Sequence, residues 1–208
     1  MKFGKREMKN YGFVLLGLVI LLLIFKYDLA ISLAINSLRS PWLDSIMFFV
    51  EKASMPVIVL VPLILILMNK KWRNVKNWTV SILGAYAISL LIKTIVARAR
   101  PFELGFNTPA QLIEPGYQTW DFSFPSNHAS TSWASFFFIP SGVLRVSWIL
   151  ISGVIMFSRV YFGLHYVSDV IVGALIGLGV SYLLSRYGNK FLEVRALDKL
   201  KYRRSKRK

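Results

Sequence analysis

Two stretches of this chain, Tyr11–Phe25 (YGFVLLGLVILLLIF) and Ala53–Met68 (ASMPVIVLVPLILILM), contain no charged residue. Each approaches the ~20 residues that a helix needs to cross a bilayer core. Hydropathy extends the pattern to six candidate spans, at 11–27, 52–68, 77–97, 127–144, 146–162 and 165–185. A bilayer offers no water to backbone N–H and C=O groups, and the alternation expected of membrane strands is absent, so every span is read as a helix. The expected fold is therefore all-α: a polytopic membrane protein of six transmembrane helices, with short interfacial helices on the outer side. A mean hydropathy of +0.51 with only 17% charged residues agrees.

The net charge of +16 would suggest a nucleic-acid partner in a soluble protein. With the N-terminus inside, however, nineteen of the 26 basic residues and three of the ten acids face the cytoplasm, and seven of each sign face out. The whole net charge then lies on the side where positive loops are retained, so no nucleic acid is implied and both termini are expected to be cytoplasmic. Trp42, Trp72, Trp78 and Trp120 fall near the proposed interfaces, as an aromatic belt would. The first span, with its basic flank, also fits a signal peptide; an uncleaved anchor is preferred, because no clear small-x-small site follows Phe25. Residues 28–50 are expected to lie along the outer interface as one or two short helices interrupted at Ser40-Pro41. The one long polar loop, Arg98–Phe124, faces outward. Residues 1–186 form a single membrane domain, and 187–208 read as a basic cytoplasmic tail drawn to anionic headgroups. The chain has no cysteine and two histidines, which removes thiolate chemistry and disfavours a metal site.

Ionisable residues at span ends call for a functional reading. Three clusters all fall on the outer side: Lys93-Thr-Ile-Val-Ala-Arg-Ala-Arg100-Pro101; Pro125-Ser126-Asn127-His128; and Ser158-Arg159 followed by His165 and Asp169. Together they resemble the three-part signature of the type-2 phosphatidic acid phosphatase superfamily, K-x6-R-P, P-S-G-H and S-R-x5-H-x3-D, in that order. One departure is Asn127, where the family usually has glycine; asparagine also tolerates the left-handed region, so the site is expected to survive.

The residues support the same chemistry on their own terms. Lys93, Arg100 and Arg159 offer three fixed cations to a transferring phosphoryl group, with guanidinium forks orienting it. Ser126, Asn127 and Ser158 could add hydrogen bonds. His165 lies four residues before Asp169, on one helical face, so the carboxylate can hold one ring N–H and leave the other nitrogen as nucleophile. The resemblance further implies that His165 forms a phosphohistidine, that Asp169 orients it, and that His128 protonates the leaving oxygen and then activates water. No cofactor or metal is implied, since cationic side chains do what Mg²⁺ does elsewhere.

Taken singly, Lys93 and Arg100 would be snorkelling cations, and Arg98 and Glu103 are left in that class. The stripe Gly173, Gly177, Gly179 and the run Phe136–Phe138 read as packing. The expected activity is hydrolysis of a polyprenyl diphosphate at the outer leaflet, with phosphatidic acid, phosphatidylglycerol phosphate or another lipid phosphate as alternative substrates. Readings of another class are an anion transporter and a non-catalytic lipid-binding protein.

Overall fold

The computed structural model describes residues 5–113 and 121–205; the tail's last three residues, its side chains from position 189 on, and Trp120 lie outside the described residues. Among the described residues there are six α-helices: α1 (Lys5–Asn36), α2 (Pro41–Met68), α3 (Trp72–Val96), α4 (Asn127–Trp133), α5 (Val143–Tyr161) and α6 (Val167–Ser205). Among the described residues there is no strand, as an all-α membrane protein requires.

Among the described residues five segments are long and apolar enough to cross a membrane: Val19–Asn36, Pro41–Met68, Asn74–Leu104, Val143–Tyr161 and Val167–Gly188. The span expected at 127–144 is the exception. It forms only the seven-residue α4 and a 3-10 turn at Phe136–Phe138 before breaking at Pro140. Its sequence is rich in hydroxyls, and Ser130, Thr131 and Ser132 are buried by protein, where α4 packs against α2, α3, α5 and α6. A helix that ends inside a bundle must find partners for its last carbonyls. Here Trp148 Nε1 donates to Ser132 O (3.1 Å) and Ser81 Oγ to Ala134 O (2.8 Å), while Ser181 Oγ accepts from Phe137 N (3.0 Å). Irregular backbone at membrane depth is tolerated where protein encloses it.

The interfacial helices expected over 28–50 are also corrected. Residues 28–36 continue α1, residues 41–50 begin α2, and only the break at Ser40-Pro41 is as expected, with Pro41 opening α2. Asp28, Ser32 and Asn36, spaced four apart on one helical face, are all buried and turned to polar partners within the bundle. Asn36 Nδ2 donates to Tyr161 O (2.8 Å) at the end of α5 and to Asn107 O (3.0 Å) in the loop.

Trp42 and Trp72 are exposed, as a belt requires, but Trp78 is only 5% exposed and packs with Ile66 and Phe138. Its indole N–H donates to Ser135 Oγ at 2.9 Å, which makes it a core residue. The close packing of α4 on α6 explains two of the three glycines in the stripe. A Cβ at Gly173 would sit 2.6 Å from Ser126 O, and one at Gly177 2.2 Å from Ser130 O, whereas Gly179 has open space around it.

Candidate active site

The end of the bundle where α1, α3 and α5 finish and α2, α4 and α6 begin gathers the three motif clusters. Beyond α3, Ala97 takes a left-handed turn that leads Arg98 and Arg100 back over the bundle. After α5, Gly163 has φ +65°, and a Cβ there would meet Thr108 and Phe106, so only glycine lets the chain fold tightly enough to return His165 beside Arg159. The amides of Leu164 and His165 both donate to Arg159 O, at 3.0 and 3.2 Å. α4 is joined to α6 at its start, where Ser126 N donates to Asp169 O (3.0 Å).

Lys93, Arg100, Asn127, His128, Arg159 and His165 line one cavity of about 280 Å³, together with Met55, Tyr86, Asp121 and Thr131. A second hollow of about 300 Å³ shares Met55, Arg100, Asp121, His128 and Arg159 and adds Glu51, Gln111 and Leu112. Lys93 is 1% exposed, so it does not snorkel.

The cations carry resident carboxylates. Asp121 pairs with Lys93 (3.4 Å) and with Arg100, and Glu51 from α2 pairs with Arg159. Arg100 is further fixed by donating Nε to Asp121 O and Nη1 to Leu164 O, both at 2.8 Å, and Lys93 Nζ donates to Phe122 O. Neither Asp121 nor Glu51 belongs to a motif spacing; an acid stranded in a long polar loop and another in an apolar helix were the only sequence signals.

His165 is buried, and its Nδ1 lies 2.8 Å from Ser123 O. A carbonyl only accepts, so Nδ1 carries the proton and Nε2 keeps its lone pair. Asp169 Oδ2 stands farther from Nδ1, at 3.5 Å, so the ring N–H is held by the Ser123 carbonyl and not, as expected, by the carboxylate, which lies beside it. Asp169, fully buried, accepts from Tyr166 N (2.8 Å), from Ser123 Oγ (2.5 Å) and from Arg98 Nη1 (2.7 Å). Burial first, and then the positive charge of Arg100, Lys93 and Arg159, holds the His165 imidazole well below the usual histidine pKa, hence neutral.

Two expected phosphate ligands are not brought to the cavity wall. Ser158 Oγ donates back to Ile155 O (2.8 Å) within α5, the ordinary fate of a helical hydroxyl, and lies 3.4 Å from Glu51. Ser126 is buried beneath α4, and its Oγ has no hydrogen-bond partner, nor has Asn127 Oδ1. Arg98 is not a loose cation: it bridges Asp28 (2.8 Å) and Asp169 (2.7 Å) with its face 3.8 Å from the Tyr166 ring. Glu103 accepts from Arg100 N at 2.7 Å and so anchors the loop. Among the described residues no group of three or more acidic or histidine side chains is placed to hold a metal ion.

The PAP2 superfamily model matches residues 75–193, which take in every motif residue. The chain belongs to the PAP2 superfamily. It is thus a membrane phosphatase. It is 28% identical over 189 residues to an undecaprenyl-diphosphatase of Sulfolobus acidocaldarius, covering 84% of this chain and 90% of the relative. It is 31% identical over 123 residues to a decaprenylphosphoryl-5-phosphoribose phosphatase of Mycobacterium tuberculosis, covering 56% and 64%. Its fold is similar to that of a transmembrane PAP2-type phosphatidylglycerolphosphate phosphatase from Bacillus subtilis, with TM-score 0.63, 23% identity, and coverage of 86% and 96%.

Proposed function

We propose that this PAP2 phosphatase removes the terminal phosphate of a polyprenyl diphosphate at the outer leaflet, through a phosphohistidine on His165. The reading is carried by one observation: three cations and both histidines of the chain line a single cavity. His165 Nε2 attacks phosphorus while the bond to the leaving oxygen breaks, and His128 gives that oxygen its proton. Lys93, Arg100 and Arg159 balance the charge spread over the phosphoryl oxygens, with Asn127 adding polar contact. Water then attacks the phosphohistidine, His128 takes the proton, and inorganic phosphate leaves with His165 neutral again. Asp169 and the Ser123 carbonyl keep the imidazole in the tautomer that this cycle needs.

Support for a lipid substrate comes from the membrane fold and from relatives whose names carry lipid phosphates. An apolar hollow of about 310 Å³ between α2 and α5, walled by Phe49, Val57, Leu150 and Val154, lies beside Glu51 and Met55 and suits a hydrocarbon tail. The likeness to an undecaprenyl-diphosphatase favours a polyprenyl diphosphate over phosphatidic acid or phosphatidylglycerol phosphate. The outward orientation rests on the one-sided distribution of positive charge, and the same distribution assigns 187–208 as a cytoplasmic tail.

The test is phosphate release by the purified protein in detergent, with chelator present, from a panel of lipid mono- and diphosphates. The highest kcat/KM is expected for a polyprenyl diphosphate; no release from any of them would defeat the reading. His165→Ala is expected to abolish turnover. His128→Ala should cost about 10²–10⁴-fold with alkoxide leaving groups and much less with a good leaving group such as p-nitrophenolate; equal losses for both would remove His128 as the acid.

A further inference from the structure

Deepening the proposed function and resting on it, we propose that Asp28 of α1 and Arg98, acting as one unit, are positioning residues for Asp169 and through it for His165. Asp28 is 4% exposed in a helix that otherwise turns apolar residues outward. A carboxylate there is costly unless it is fully partnered, and every partner it has leads towards the site. Its Oδ2 accepts from Arg98 Nη2 at 2.8 Å, and Arg98 Nη1 donates to Asp169 Oδ1 at 2.7 Å. One guanidinium fork therefore joins two buried carboxylates drawn from opposite ends of the chain.

The second link runs through the backbone. Asp28 Oδ1 accepts from Ser168 N (2.8 Å), Asp28 also takes the Ser168 hydroxyl, and Ser32 Oγ accepts from Val167 N (3.0 Å). The first amides of α6, which have no partner within their own helix, are thus satisfied by two side chains one turn apart on α1. Asp169 sits in that same first turn and accepts the next free amide, Tyr166 N. The orientation of the carboxylate beside His165 is set by what holds the first turn of α6, and α1 and Arg98 hold it. The guanidinium also lies over the ring of Tyr166, the residue between His165 and α6.

Neither Asp28 nor Arg98 lines the cavity, so neither is placed to touch substrate. The link is expected to act on turnover and not on binding. Asp28→Asn keeps an oxygen for Ser168 N and removes the charge that shares Arg98. It should lower kcat about 10–100-fold, the scale seen when the outer partner of a metal-ligating side chain is removed, with KM within about twofold of the parent. Arg98→Gln should fall as far. Arg98→Lys, a point charge that reaches one carboxylate but cannot fork to two, should lie between it and the parent.

The deciding experiment is a double-mutant cycle on kcat in detergent, with thermal unfolding of each protein alongside. Adding Asp28→Asn to Arg98→Gln should cost no further activity, because the link is already cut. Losses that multiply, a kcat for Asp28→Asn within twofold of the parent, or a loss confined to KM would each overturn the proposal. If Asp28→Asn does not accumulate in membranes, equal kcat values for Arg98→Lys and Arg98→Gln would overturn it. A parent protein that releases no phosphate from any lipid phosphate overturns the proposed function instead.

Discussion

A carbonyl oxygen accepts hydrogen bonds and never donates one, so the approach of Ser123 O fixes the Nδ1 proton of His165 and with it the nucleophilic nitrogen. Burial and three neighbouring cations lower the pKa of this imidazole. The consequence for turnover has a definite sign. Protonation of the nucleophile is expected only below the pH at which a free imidazole titrates, about 6.5, so a loss of phosphoenzyme formation on acidification should begin below that value. For stability, the unfolded chain binds the proton more readily, so His165 makes the fold less stable as the pH falls below about 6.5. Thermal unfolding between pH 7 and 5 checks the second expectation, and single-turnover phosphorylation the first. The resident acids give another. Glu51→Gln leaves Arg159 without its competitor, so inorganic phosphate or vanadate should inhibit about three- to tenfold more tightly, roughly 1 kcal/mol; unchanged inhibition would mean that the anion does not displace Glu51. His165 and Asp169 were legible from their spacing of four, although only Asp169 lies in α6 and His165 sits in the turn before it. Ser123, Asp121 and Glu51 were not: they act from the loop before α4 and from the middle of α2, and no local spacing marks a contact that only the tertiary fold creates.

At the level of helices, the glycines of α6 separate packing from composition. Gly177 faces the backbone of α4, and an added methyl would lie 2.2 Å from Ser130 O, while Gly179 faces open space. Gly177→Ala should therefore destabilise the protein by about 1–3 kcal/mol through overpacking. Gly179→Ala should be neutral or stabilising, by up to ~1 kcal/mol from helix propensity. Thermal unfolding of the two variants in detergent distinguishes them. The sequence carried five of six spans well, because long apolar runs leave one conformation open in lipid. It misplaced two elements for one reason. Hydropathy averages over a segment, whereas α4 and the C-terminal end of α1 depend on where individual polar groups point. Ser130–Ser132 are polar yet buried by protein, and Asp28, Ser32 and Asn36 give residues 28–36 an interfacial look while facing inward. A polar residue at every fourth position of an apolar run is the sign of a helix whose polar edge meets other helices.

For the whole molecule, the fold places the motif residues at one end of the bundle and the short connection Asn69–Lys71 between α2 and α3 at the other. Charge asymmetry assigns those ends to opposite sides of the membrane. The absence of native cysteine makes this directly measurable. A membrane-impermeant thiol reagent on intact cells should label Ala110→Cys, in the exposed loop near the site, and leave Lys71→Cys unlabelled until the membrane is opened. The opposite pattern would reverse the orientation.

The cap that α1 supplies to α6 also constrains how the protein is made. Asp28 and Ser168 are 140 residues apart, and Asp28 and Arg98 are 70 apart. A ribosome takes on the order of ten seconds to cover the longer interval. The Asp28 carboxylate lacks its guanidinium for the first half of that time and its amide for all of it, and an unpaired anion is held at the water boundary by its hydration. α1 can therefore settle to its final depth only when α6 arrives, so insertion of this enzyme closes like a clasp between two helices made far apart in time.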